Sequence, residues 1–338
     1  MDAADLVLEG GGVKGAGLAG AVATLSENYT FHRVAGTSAG AIVASFVAAG
    51  LTSELESIMV STDFSKFEDQ GGGLLRYLGR IGQAQQVLFH QGMFKGEALH
   101  TWIANTLAKA GVRTWGDLRI AGTDASTPIQ ERYHLAVVVS DISRGRMLQL
   151  PWDYPSLLGQ DPDTMSVADA VRASASIPFF FRPWILPVRK DVAAGHDKIV
   201  LTDGGMLSNF PIAMFDDDTT HPTFGVKLSA RLSLQQYGWR PVTDPLSLGK
   251  ALIATMASAH DQVYVDKESV CSRTVFVDTS GVSSTDFHLS DSTKQDLHDR
   301  GVAAAQKFLS TWNFNTWKQQ YGQETGYLPQ IKPTTVSA

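Results

Sequence analysis

The chain has 338 residues, with 28 Lys and Arg against 34 Asp and Glu and a formal charge of -6 at neutral pH. That balance, with no basic run, excludes a general nucleic-acid binder, whose affinity comes from clustered cations. Hydrophobic residues make up 43% of the chain, enough for a sizeable core, and the single cysteine, Cys271, excludes an internal disulfide framework and suits a reducing compartment.

The N-terminus, MDAADLVLEGGG, has no basic n-region and no long apolar h-region, which argues against a Sec-type signal peptide. The longest apolar stretch, residues 39–51, is shorter than the roughly 20 residues a membrane-crossing helix needs. A cytoplasmic protein with peripheral membrane contact is the expectation.

Leu6-Val7-Leu8 reads as a short buried strand, and GGGVKGAG follows it. Residues 18–27 read as a helix, 31–36 as a second strand and 39–49 as a second helix. Strand, loop, helix, strand, turn and helix in that order predict an α/β fold with a mostly parallel central sheet flanked by helices in three layers. Residues 96–111 form a convincing helix that stops at a glycine; 134–141 and 145–151 read as strands joined by a turn. Residues 166–178 open with a serine cap before a helix broken by Pro178, and 199–205 form a strand entering a glycine turn. Two more strands, FGVKLS and TVFVDT, and a long helix over 291–312 complete one domain, residues 5–315, followed by a polar tail over 316–338.

Three short stretches carry chemistry. Gly36-Thr37-Ser38-Ala39-Gly40 places a serine between small residues at a strand-to-helix turn, the context of a nucleophile elbow, where crowding by neighbouring backbone demands Gly36, Ala39 and Gly40. The next helix turns its N-terminal N–H groups toward the same point. Gly10-Gly11-Gly12-Val13-Lys14-Gly15 ends the first strand; backbone N–H groups of Gly11, Gly12 and Val13 can line an oxyanion hole, with Lys14 adding positive charge and Gly15 opening the helix. Gly10, Gly12 and Gly15 also match a dinucleotide fingerprint, which expects an acidic residue about 20 positions on. No Asp or Glu occurs from His32 to Ala44, so that reading falls behind. Thr202-Asp203-Gly204-Gly205, at the end of another apolar strand, offers a general base; taken alone, Asp-Gly is an ordinary turn pair.

The ordered set GGGVKG at 10–15, GTSAG at 36–40 and DGG at 203–205 resembles the bacterial patatin-like phospholipase family. Ala173-Ser174-Ala175-Ser176-Ile177-Pro178 matches a further family segment, A-S-x-x-x-P, and DGGMLSNFPI looks like the continuation after the family's aspartate. The resemblance implies a Ser–Asp dyad: Ser38 as nucleophile, Asp203 as general base and the loop 11–15 as oxyanion hole. It implies a lipid acyl hydrolase of phospholipase A or lysophospholipase type, acting on a lipid or phospholipid at a membrane surface and needing no cofactor. His221, His260, His288 and His298 all follow Asp203 in the chain, so a Ser-His-Asp triad stays open. No HExxH or Cys/His cluster suggests a metal.

Three features read as structural. FFFRPWILPV, residues 179–188, is expected as a core strand near IVLTDGG, with an acyl-groove lining as the rival. Asp216-Asp217-Asp218 reads as a solvated loop. The Gly-rich segment 69–83, spotted with Arg76 and Arg80, reads equally as a lid or lipid-interface patch and as a short helix with its apolar face in the core.

Overall fold

The computed structural model describes residues 1–69, 92–229 and 267–325, with the isolated positions 242, 251 and 255. All but the first residue of the Gly-rich segment 69–83 lies outside the described residues, as does His260. The first half of the chain contributes β1 (Asp2–Leu8), α1 (Gly15–Ser26), β2 (Tyr29–Thr37), α2 (Ala39–Ala48), α3 (Leu55–Ser61), β3 (Gly92–Phe94), α4 (Glu97–Lys109), β4 (Leu135–Asp141) and β5 (Arg146–Leu150). The second half contributes α5 (Val167–Ser174), β6 (Phe179–Phe181), β7 (Trp184–Pro187), β8 (Lys198–Asp203), β9 (Thr223–Lys227), α6 (Glu268–Cys271), β10 (Thr274–Phe276), α7 (Asp291–Leu309) and α8 (Phe314–Thr325).

Eight strands form one sheet in the order β10-β9-β1-β2-β4-β8-β7, with β5 also on β4. The run from β10 to β4 is parallel, as the alternation of strands and helices predicts. Both faces are buried. Leu6, Leu8, Val34, Val137 and Val139 point into one core, while Val7, Ala35 and Ala136 point into a second with Trp152, Phe210 and Phe215. Period-two side-chain alternation with apolar residues at every step explains why these strands read as continuous hydrophobic runs. On the larger core, α1 and α7 meet backbone to backbone: a Cβ at Gly20 would lie 2.1 Å from the His298 carbonyl oxygen.

The far end of the sheet is antiparallel, and it positions the site. β4 has only two edges, and β5 takes one of them over residues 137–141. β2 and β8 must therefore share the other. β2 covers Leu135 to Val138, running parallel, and β8 covers Val139 to Asp141, running antiparallel. The C-terminal ends of β2 and β8 thus meet head to head, with Thr37 opposite Val138 and Asp203 opposite Val139. Ser38 and Asp203, 165 residues apart in the chain, fall next to each other by this register.

Three sequence expectations are corrected. The FFFRPWILPV stretch splits in two: β6 pairs with β3 in a small separate sheet, and only β7 pairs with β8. The acidic triplet is not merely solvated, because Asp216 receives two hydrogen bonds, 2.7 and 2.8 Å, from the buried guanidinium of Arg273, and Asp218 pairs with Arg33 at 3.2 Å. The polar tail expected from residue 316 begins inside α8, whose Trp317 is buried and donates its indole N–H to the Ser269 carbonyl at 3.1 Å. Among the described residues no helix is long and apolar enough to cross a membrane.

Candidate active site

Ser38 stands between β2 and α2 with φ 53° and ψ -121°, a left-handed backbone for a residue with a side chain. Its neighbours make the turn sterically possible. A Cβ on Gly36 would lie 2.4 Å from the Gly40 carbonyl carbon, and one on Gly40 would lie 2.3 Å from the Leu8 carbonyl oxygen. Both obstacles are backbone and cannot swing aside. Gly40→Ala is therefore expected to lower stability by about 3 kcal/mol or more, read as an earlier midpoint in urea unfolding; an unchanged midpoint would contradict this packing.

The Ser38 hydroxyl donates to Asp203 Oδ2 at 2.7 Å, and both residues are buried. Asp203 Oδ1 accepts the Gly205 N–H at 2.8 Å, which fixes the carboxylate plane. The backbone around them is held by two serines that sequence reading did not single out as site residues. Ser38 donates its backbone N–H to Ser174 Oγ at 2.9 Å, and Ser174 passes its own hydrogen to the Val138 carbonyl at 2.6 Å. Asp203 donates its backbone N–H to the Ser176 carbonyl at 3.0 Å. The A-S-x-x-x-P segment was the available signal for both.

Arg172, on α5 one turn before Ser176, is buried, and among the described residues no carboxylate contacts it. Its guanidinium donates to the carbonyls of Gly96 at 2.8 Å, Lys95 at 2.9 Å and Arg182 at 3.2 Å, and to Ser176 Oγ at 2.5 Å. Burial lowers its pKa to about 10, which leaves it charged at neutral pH. Desolvation pushes the Asp203 carboxyl up from 3.8 to about 6, against the opposing pull of the Ser38 and Gly205 hydrogen bonds and the Arg172 charge.

In the glycine loop, two of the backbone N–H groups are already engaged. Val13 donates its N–H to the Ser284 carbonyl at 3.1 Å, and Lys14 donates to Gly11 at 3.3 Å, so those amides are committed. Gly15 opens α1, buried against Met59. Among the described residues the N–H groups of Gly11, Gly12 and Ala39 have no acceptor. Gly12 has φ +58°, and a Cβ there would lie 1.9 Å from the Ser284 carbonyl oxygen, so this turn accepts only glycine. Gly12 and Ala39 line, with Ser38, a narrow apolar cavity of about 40 Å³ walled by Ile42, Met59, Phe67, Leu99, Trp102 and Phe181. Phe181, from the FFFRPWILPV stretch, is part of this lining.

Among the described residues no histidine bonds to Ser38 or Asp203. His298 is buried on α7, beside Asp299 and Glu56, and His288 is an exposed residue beside Glu68. His221 lies 3.2 Å from Asp5, close to Asp218. These two carboxylates and the imidazole converge, yet Arg33 already donates to both Asp5 oxygens and to Asp218. A cation there would face a buried guanidinium, which disfavours it.

The sequence model of the patatin-like phospholipase family matches residues 6–216, a span that holds the glycine loop, the elbow and Asp203. The chain belongs to the patatin-like phospholipase family. This patatin-like chain is also 36% identical over 312 residues to the uncharacterized protein YqhO of Bacillus subtilis (strain 168), covering 92% of this chain and 99% of that one. Its fold is that of VipD from Legionella pneumophila, with a TM-score of 0.51 and 18% identity over 91% of this chain and 67% of VipD.

Proposed function

We propose that the protein is a lipid acyl hydrolase, cleaving carboxylic esters of phospholipids or lysophospholipids through a Ser38–Asp203 dyad. The observation that carries this reading is the 2.7 Å hydrogen bond from the Ser38 hydroxyl to a buried aspartate beside an apolar cavity. The family supports lipid hydrolysis in general terms; the roles of individual residues are this reading's own.

Ser38 Oγ attacks the ester carbonyl while its proton passes to Asp203 Oδ2. The Oγ–carbon bond forms, the carbonyl oxygen takes the negative charge, and the uncommitted N–H groups of Gly11, Gly12 and Ala39 are the donors available to it. Each such donor contributes a few kcal/mol to transition-state stabilisation. Collapse breaks the bond to the alkoxide, which leaves with the proton from Asp203. Water then attacks the acyl-enzyme with Asp203 again as base, releasing the fatty acid. A carboxylate is a weak base in water; burial among apolar walls raises its proton affinity toward the working range. The cavity takes an acyl chain, consistent with its nearly unbroken hydrocarbon lining.

Two experiments test this. An alkyl fluorophosphonate should label one residue, and peptide mass spectrometry should place the label on Ser38; labelling elsewhere, together with no fatty acid released from phospholipid vesicles, would reject the reading. The pH profile gives a second check. Protonated Asp203 cannot accept the Ser38 proton, so kcat/KM should fall as pH drops through about 6 and level off above it. A profile flat from pH 5 to pH 8 would show that another group is the base.

A further inference from the structure

A second, larger cavity of about 460 Å³ lies on the other side of Phe181, lined by Ile142, Pro178, Phe179, Val200, Thr202 and Met206 among others. Phe181 walls both cavities, and Ile177 of the first is joined directly to Pro178 of the second. Thr202 precedes Asp203 in β8 with its side chain on the opposite face of the strand, so Phe181 is the wall through which the second cavity neighbours the first.

The surface around this cavity is unusual. The exposed large hydrophobic side chains among the described residues are Met1, Ile142, Phe179, Ile185 and Val242. Three of these five gather at this mouth. Ile185 is directly opposite Val200 in the β7–β8 ladder, and Ile142 donates its N–H to the Val200 carbonyl at 3.0 Å. Residues opposite each other in a ladder share a face, so Ile142, Val200 and Ile185 form one apolar row across three strands. The rows on either side point inward: Leu201 and Asp141 are buried, as are Ile199 and Leu186. Phe179, at φ 66°, is held outward at the rim by a strained backbone. Two residues along β8 on the same face, exposed Lys198 adds a positive charge, and Lys190 follows β7 in the adjoining turn.

We propose that this face docks on a phospholipid bilayer, so that a lipid enters the second cavity and reaches Ser38 past Phe181. The inference rests on the lipid-hydrolase reading above and names the surface that reading needs. Exposed hydrocarbon in a row, flanked by lysines and beside a cavity that shares Phe181 with the Ser38 cavity, matches an acyl layer beneath anionic headgroups.

The test uses the full chain carrying Ser38→Ala, so that vesicles survive the assay, with and without Ile142→Ser plus Ile185→Ser. Flotation with vesicles of phosphatidylcholine and phosphatidylglycerol should show binding weakened about tenfold by the double change. With Ser38 restored, hydrolysis of a soluble short-chain p-nitrophenyl ester should stay within about twofold of the parent, which shows the fold and dyad intact. As an independent measurement that disturbs little, Ile185→Trp should gain fluorescence quenching from vesicles with brominated acyl chains. Failure of the parent to float, equal binding by the double variant or absence of added quenching would overturn the proposal. So would a double variant that only shifts a dimer to monomer in sedimentation, which would assign the face to a second copy. Vesicle binding through this face in a protein inert on every ester would instead sink the hydrolase reading and leave the docking face standing.

Discussion

Replacing Ser38 by alanine, or Asp203 by asparagine, is expected to lower kcat on a phospholipid or p-nitrophenyl ester at least about 10⁴-fold, each as much as both together. In the proposed mechanism the two residues act as one unit: without the serine no bond forms, and without the carboxylate its proton has no acceptor. Asparagine at 203 retains the shape and can still accept the Gly205 N–H, so circular dichroism should not change. Substantial activity in either variant would remove the dyad from the mechanism. The same asparagine variant should be more stable than the parent at neutral pH. The folded Asp203 pKa, about 6, lies above its ordinary 3.8, so the native state binds that proton more tightly than the unfolded chain does. Sign follows directly: native stability falls as pH rises between about 4 and about 6, where the folded site gives up a proton the unfolded chain has already lost. Removing the charge should return about 3 kcal/mol at pH 8, a Tm a few degrees higher, with the gain vanishing below pH 4.

Arg172→Met is expected to cause a large loss of stability. The long side chain fills similar space, but the carbonyls of Gly96, Lys95 and Arg182 lose their donor while staying buried. Each unmet buried acceptor costs on the order of 1 kcal/mol or more, and about 3 kcal/mol in total should appear in the urea midpoint. A second consequence separates this from a general packing defect. Arg172 lowers the Asp203 pKa, so in the surviving folded protein the acid limb of the pH–rate profile should move above 6. An unchanged urea midpoint with an unchanged acid limb would show that Arg172 matters for neither.

The elbow and Asp203 were legible in the sequence because their chemistry is local. A serine at positive φ needs glycine at 36 and 40, and a strand-end aspartate needs glycine after it, so the motifs record steric demands within five residues. The parallel half of the sheet was legible for a similar reason, since strands buried on both faces are apolar throughout. What joins the two motifs was not. That β8 runs antiparallel and abuts β2 on one edge of β4 is a register, set by contacts spread over the whole chain. Arg172 carried no signal in the sequence, because its acceptors are main-chain carbonyls, which leave no trace in side-chain identity. Asp216 and Asp218 read as a solvated acidic run because their cations, Arg273 and Arg33, lie far away in the chain. Val13 looked like an oxyanion donor until Ser284, in a loop 271 residues later, was seen to accept its N–H at 3.1 Å.

The head-to-head meeting of β2 and β8 has a consequence for how activity arises during synthesis and refolding. A nascent chain that has emerged only through β5 holds the nucleophile, its elbow and the glycine loop, yet has no base within reach. Hydrolytic competence then depends on one late, long-range pairing event, which is slow relative to helix formation. In a refolding experiment, far-ultraviolet helicity should return first and esterase turnover should lag behind it. Under the proposed mechanism the arrangement acts as a safeguard in time: the chain stays inert until about three fifths of it, through Asp203, has been made.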